Sequence, residues 1–257
     1  MGGVTMNKKI LILCGLGTAV AGGLLAAFTR DAALAGDVNL WTVLFALGLI
    51  LALAGLAAAL TAFQPQRKKA DVGTVTMAAL FAALCYIGFA YLWIDIPVGT
   101  EKTAFHLGNV FCVLAALFLG SFWGGMSGAI GLTLADFTSG YLTSAPKTFL
   151  LKLCIGAVTG FVAHRLFHIS REEETRVNLG AGLACVAGMG FNIVADPLVG
   201  YFYKMYVLGV PQEAADIWAK MGAITTGVNA LLAMVCAYLL YLAIRPALRK
   251  TNLLPKL

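Results

Sequence analysis

The sequence predicts an all-α integral membrane protein, and three observations carry that prediction. The 257 residues are 60% hydrophobic and only 12% charged, about half the charged share of soluble domains. Mean hydropathy is +0.88, more apolar surface than so short a chain hides in a water-soluble core. Apolar runs long enough to cross ~30 Å of hydrocarbon recur along the whole chain.

The first run, Ile10–Phe28, follows Lys8 and Lys9 and superficially looks like a signal peptide. It is longer than a signal-peptide core and a second run, Leu40–Phe63, follows closely, so it reads as a retained helix. Four more spans are clear: Val75–Ile94, Phe149–Phe167, Leu179–Tyr203 and Ile224–Ile244. Leu107–Leu134 admits one long helix or two short ones hinged at Gly120-Ser121, with Gly124, Gly125, Gly128 and Gly131 allowing close backbone approach in the second half. Charge chooses between them, because Lys and Arg concentrate in cytoplasmic loops. Eight spans with both termini cytoplasmic place 12 basic residues inside (Lys8, Lys9, Arg67, Lys68, Lys69, Arg165, Arg171, Arg176, Arg245, Arg249, Lys250, Lys256) and 5 outside (Arg30, Lys102, Lys147, Lys204, Lys220). Seven spans flip everything after Leu134 and give 8 against 9. Eight spans is the expectation, and the net charge of +6 is then mainly a topological signal, not a footprint for nucleic acid.

The polar stretch Gln64–Asp71 divides the chain into residues 1–71, a transmembrane hairpin with a basic linker, and 72–257, a six-helix body. A second inner linker, Ser170–Arg176, reads as a solvated charged loop. The outer loops Asp95–Phe105, Phe137–Ala145 and Tyr206–Asp216 are candidates for a lid or recognition surface. All six cysteines lie in apolar runs without a CxxC pair, so they read as packing residues.

Polar groups inside apolar spans need a reason, because an unpaired charge there costs several kcal/mol. Lys152 lies about 7.5 Å deeper than Lys147 at the helical rise. Asp136 ends one body helix, Asn192 and Asp196 sit one turn apart on another, and Asn229 lies within the last. His106 and Asn109 open the second body helix. All fall at similar depth in the outer half. One reading is a polar pocket for a small hydrophilic solute; the other is structural pairing, such as Lys152 with Asp136 or Asp196. Of the aromatics near the outer boundary (Tyr86, Tyr91, Trp93, Tyr141, Tyr201 and Tyr203), most read as interface-belt residues and one or two as stacking partners for a ligand. Tyr201 is retained as a candidate site residue.

His164 and His168 are four apart but lack a third ligand, so no metal site and no cofactor are expected. No GxxxxGK[ST] loop and no nucleophilic triad is present, so the chain is not expected to be an enzyme. Ala78, Ala79, Ala82 and Ala83 form a small-residue stripe suited to close helix contact, either within the bundle or with another membrane protein.

His106-Leu-Gly-Asn109, Leu119-Gly120, Trp123-Gly124, Gly128-xx-Gly131, Ala135-Asp136 and Gly140 together resemble the substrate-binding S components of energy-coupling factor (ECF) vitamin transporters. Ala145-Pro146-x-Thr148-xxx-Lys152-xxx-Gly156-xxx-Gly160 and Gly200-Tyr201-Phe202 are also similar to that family, and the whole is closest to its riboflavin-type branch. The resemblance covers roughly Thr74 to Arg249. It implies a six-helix S-component bundle in a bacterial plasma membrane that binds a vitamin or precursor near its outer face. It implies as partners a transmembrane T component, facing the alanine stripe, and two cytosolic ATPases that supply the ATP hydrolysis, besides membrane lipid. His106, Asn109, Asp136, Lys152, Asn192, Tyr201 and Asn229 become the expected substrate-binding residues. Asn109 stands where the family pattern suggests an acid, and the hairpin before residue 71 is an addition to that body. A stand-alone secondary carrier and a non-transport membrane scaffold are the alternatives.

Overall fold

The structure is a computed structural model that describes residues 8–34, 40–62, 71–98, 101–170 and 174–251. Among the described residues seven α-helices run in chain order: α1 (Lys8–Leu34), α2 (Leu40–Ala62), α3 (Val72–Ala90), α4 (Gly108–Thr138), α5 (Ala145–Phe161), α6 (Glu174–Phe202) and α7 (Gln212–Lys250). Five helical segments among the described residues are long and apolar enough to cross a membrane: Val72–Ala90, Gly108–Thr138, Leu142–Leu166, Arg176–Val207 and Gln212–Lys250. Two shorter apolar segments, Ile12–Ala26 and Leu47–Ala62, lie in α1 and α2. The linker residues Gln64–Ala70, most of the acidic stretch after Ser170, and Lys256 lie outside the described residues.

Gly120 decides the shape of α4. Its backbone leaves the helical region (φ 80°, ψ −173°), a conformation essentially reserved for glycine. The two arms fold back on each other: a side chain at Gly124 would strike the Ala116 backbone, and one at Gly128 would strike Cys112. Glycines thus set the interhelical distance, as the pattern in this region suggested. Gly156 and Gly160 of α5 lie as tightly against Gly125 and Ser121. The hydrophobic core forms where α3, both arms of α4, α5, α6 and α7 meet, around Phe81, Phe118, Leu132, Ile155, Met189 and Tyr241.

The all-α class stands, with one local correction. Asp95–Phe105 is not an open loop; β1 (Trp93–Val98) and β2 (Glu101–His106) form an antiparallel hairpin in which Trp93 pairs with His106 and Val98 with Glu101. The Val75–Ile94 span accordingly ends at Ala90, and His106 closes β2 instead of opening α4. The last span also begins earlier, at Gln212 instead of Ile224, so the connection after α6 is short. Two π-helical turns, Val162–Leu166 and Tyr203–Val207, finish the α5 and α6 segments.

The N-terminal pair packs through glycine-to-backbone contacts, with Gly22 against Ala52 and Gly55 against Ala19. It docks through α2 on α5: Cys154 Sγ donates to the Leu53 carbonyl at 3.4 Å, and Ala57 is buried beside Cys154 and Ala157. The alanine stripe of α3 divides in burial. Ala78 is buried, accepting from Ser127 Oγ at 2.9 Å, and Ala82 lies against Gly131. Ala79 and Ala83 are exposed, and all four alanines line an apolar groove of about 760 Å³ between α3 and the second arm of α4.

Candidate functional site

Helical periodicity brings one polar stripe from each of several helices to the same place. Residues four apart share a helix face. Thr148 and Lys152 on α5, Asn192, Asp196 and Gly200 on α6, and Gly222 and Thr226 on α7 obey that spacing, Asn229 follows Thr226 by three residues on the same face, and all line one cavity. Asn109 and Asp136 enter it from the two arms of α4, and β2 closes it with Lys102, Ala104 and His106. The cavity holds about 140 Å³, room for several waters or a compact polar molecule. All seven residues expected from the sequence, His106, Asn109, Asp136, Lys152, Asn192, Tyr201 and Asn229, lie on its wall.

They are not equivalent. The Asn229 amide is committed to β2: its Oδ1 accepts from the His106 N–H at 3.0 Å and its Nδ2 donates to the Ala104 carbonyl at 2.9 Å. It clamps the hairpin to α7, helped by the Thr103–Thr225 hydroxyl pair at 3.0 Å. On the opposite edge, Lys102 Nζ bonds Asp95 at 2.8 Å and the Ser139 carbonyl at 3.1 Å, and sits between the Trp93 and Tyr141 rings. Tyr141 also donates to Asp95, which, with burial acting first, raises its phenol above the ordinary range. Trp93 and Tyr141 thus serve as walls for a lysine.

The expected pairing of Lys152 with Asp136 or Asp196 takes another form. Asp196 binds Lys147 at 2.8 Å through one oxygen and accepts from the Thr226 hydroxyl at 2.7 Å through the other. Asp136 accepts from Thr148, and its Oδ2 has no hydrogen-bond partner. Lys152, only 8% exposed, accepts from Cys112 Sγ at 3.8 Å through its main-chain carbonyl, and its ammonium forms no ion pair among the described residues. Asn109 Oδ1 and Asn192 Oδ1 are likewise buried without a donor. Sequence reasoning missed Thr148 and Thr226 as site residues; their spacing from Lys152 and Asn229 was the available signal.

His106 Nδ1 accepts the Gly108 N–H at 3.2 Å and its ring packs edge-on to Phe89 at 4.5 Å. Burial first, and Lys152 second, lower its pKa to about 3. The imidazole is therefore neutral through pH 5–8. Any stability linked to it is complete above the unfolded value of about 6.5 and falls as pH drops toward 3, since the unfolded chain takes up the proton first. Solute affinity is expected to show no step near pH 6.5 attributable to this ring; isothermal titration from pH 5 to 8 checks this, with His106→Gln as reference.

His164 makes two contacts remote from the cavity, to Ser170 Oγ at 2.9 Å and to the Ala116 carbonyl at 3.2 Å. His168 has left the helix at φ 49°. Among the described residues no group of three or more His, Cys, Asp or Glu side chains is arranged to hold a metal.

A family model described as "ECF-type riboflavin transporter, S component" matches residues 69–246. Among solved structures, one similar chain is the S component for biotin from an ECF-type ABC transporter, at 21% identity and a TM-score of 0.48, covering 68% of this chain and 94% of that one. No curated protein matches the chain.

Proposed function

Since the chain belongs to the ECF-type riboflavin transporter S component family, a family of substrate-binding transporter subunits and not of enzymes, we propose that it captures a vitamin or related small metabolite for ATP-driven uptake. The observation that carries this reading is the set of buried polar atoms left without protein partners around one cavity: Asn109 Oδ1, Asn192 Oδ1 and Asp136 Oδ2. Each buried polar atom of this kind costs about 1–3 kcal/mol when unsatisfied, and a bound polar solute removes that cost. The chain spans the membrane eight times in this reading, counting the two arms of α4 separately, with both termini on the cytoplasmic side of a bacterial plasma membrane. The β1–β2 hairpin then covers the outer mouth of the cavity. A transmembrane T component occupies the apolar groove at Ala79 and Ala83, and two cytosolic ATPases supply the energy.

Two variants separate capture from transport. Asn192→Ala is expected to weaken solute binding to the purified protein at least tenfold. Ala83→Trp is expected to leave binding within about twofold and to abolish uptake in cells expressing the T component and ATPases. Uptake that persists without any ATPase and follows an ion gradient instead favours a secondary carrier; the absence of saturable binding to any small solute sinks the proposal.

A further inference from the structure

On the reading that this cavity binds a solute, we infer that the solute is a compact anion, a carboxylate or similar acid that also carries N–H or O–H donors, and not a neutral molecule. Four lysines line the cavity, and three are already engaged: Lys102 with Asp95, Lys147 with Asp196, and Lys204 with its ammonium 3.3 Å from the centre of the Trp218 ring. Lys152 is the fourth. It is 8% exposed, shares the cavity wall with Asn109, Asp136 and Asn192, and among the described residues has no carboxylate within ion-pairing distance.

A buried ammonium without a counter-ion is costly, and a ligand acid group supplies the missing charge. The orphaned amide oxygens define the rest of the ligand. Asn109 and Asn192, 2% and 1% exposed, each present an acceptor without a donor, so the acid must bring donors of its own. A neutral ligand leaves Lys152 uncompensated and gains only hydrogen bonds. The competing arrangement is a water bridge between Lys152 and Asp136, which makes Lys152 structural and indifferent to ligand charge.

Matched acid and neutral pairs distinguish these. The purified full chain is titrated with nicotinate and nicotinamide, with pantothenate and panthenol, and with riboflavin as a neutral reference. The acid of at least one pair is expected to bind at least tenfold tighter than its neutral counterpart. Lys152→Met is expected to erase that preference, Lys152→Arg to retain most of it, and Lys220→Met, outside the cavity, to leave it unchanged. Neutral members that bind as tightly as the acids, or an acid preference that survives unchanged in Lys152→Met, overturn the anionic class while leaving the capture function standing. Failure of every compound to bind overturns both.

Discussion

Gly160→Val is expected to destabilise the protein by about 3 kcal/mol or more, and Gly156→Val by a similar amount. Side chains at these two positions of α5 would run into the backbone of α4 at Ser121 and Gly125. Backbone cannot rotate aside as a flexible side chain does, so the helices must separate, and overpacking of a tight core already costs about 1–3 kcal/mol when only side chains yield. The separation would also open the hinge at Gly120, whose φ of 80° holds both arms of α4 in register. In thermal unfolding of the detergent-solubilised protein, Tm should fall by roughly 6–12 °C, at about 2–4 °C per kcal/mol for a chain of this size. Gly190→Ala is the control: nothing lies within 4 Å of its added methyl group, and alanine is the better helix former by about 1 kcal/mol. Its Tm should hold or rise. Equal Tm for Gly160→Val and wild type would mean that α4 and α5 do not meet backbone to backbone.

Asp196→Ala should be more damaging than removing the ion pair altogether. Asp196 is held from two sides, by the Lys147 ammonium at 2.8 Å and the Thr226 hydroxyl at 2.7 Å. Deleting the carboxylate leaves Lys147 and Lys152 as two enclosed positive charges on one cavity wall. Breaking a fully buried pair costs about 3–5 kcal/mol; with side-chain exposures of 14% for Lys147 and 23% for Asp196, water recovers part of this, and about 2 kcal/mol is expected. The double variant Lys147→Met/Asp196→Leu carries no stranded charge and should regain at least half of the loss. A double variant that unfolds at the same temperature as Asp196→Ala would show that the carboxylate acts through Thr226 or through packing, not through its charge. Both variants should weaken solute binding, because Lys147 and Asp196 belong to the cavity wall.

The α3 stripe shows how far sequence reasoning reaches. Four alanines at helical spacing announce a small-residue face, and the sequence leaves open whether that face is internal. The fold answers differently for its two halves: Ala78 and Ala82 pack on α4, while Ala79 and Ala83 remain exposed. A rotation of the helix by about 100° per residue separates the two outcomes, and composition carries no trace of that rotation. The β1–β2 hairpin was invisible for a related reason. Its residues, among them Pro97 and Lys102, read as a polar loop, and the strands are held by partners far along the chain, at Asn229, Thr225 and Ser139.

By itself the sequence determined that the chain is a membrane-embedded helical bundle, that the region around Gly120 is a breakpoint, and which polar side chains sit within apolar spans. These follow from hydropathy, from glycine's backbone freedom and from the period of the helix, all of which are local. Only the tertiary structure decided that Lys147 and not Lys152 takes Asp196, that Asn229 is spent on the hairpin, and that Lys152, Asn109 and Asn192 face one cavity in which the two amide oxygens are left without donors. Those outcomes depend on the relative depth and rotation of α4, α5, α6 and α7. A displacement of one residue, 1.5 Å along a helix axis, is enough to exchange one lysine's partner for another's.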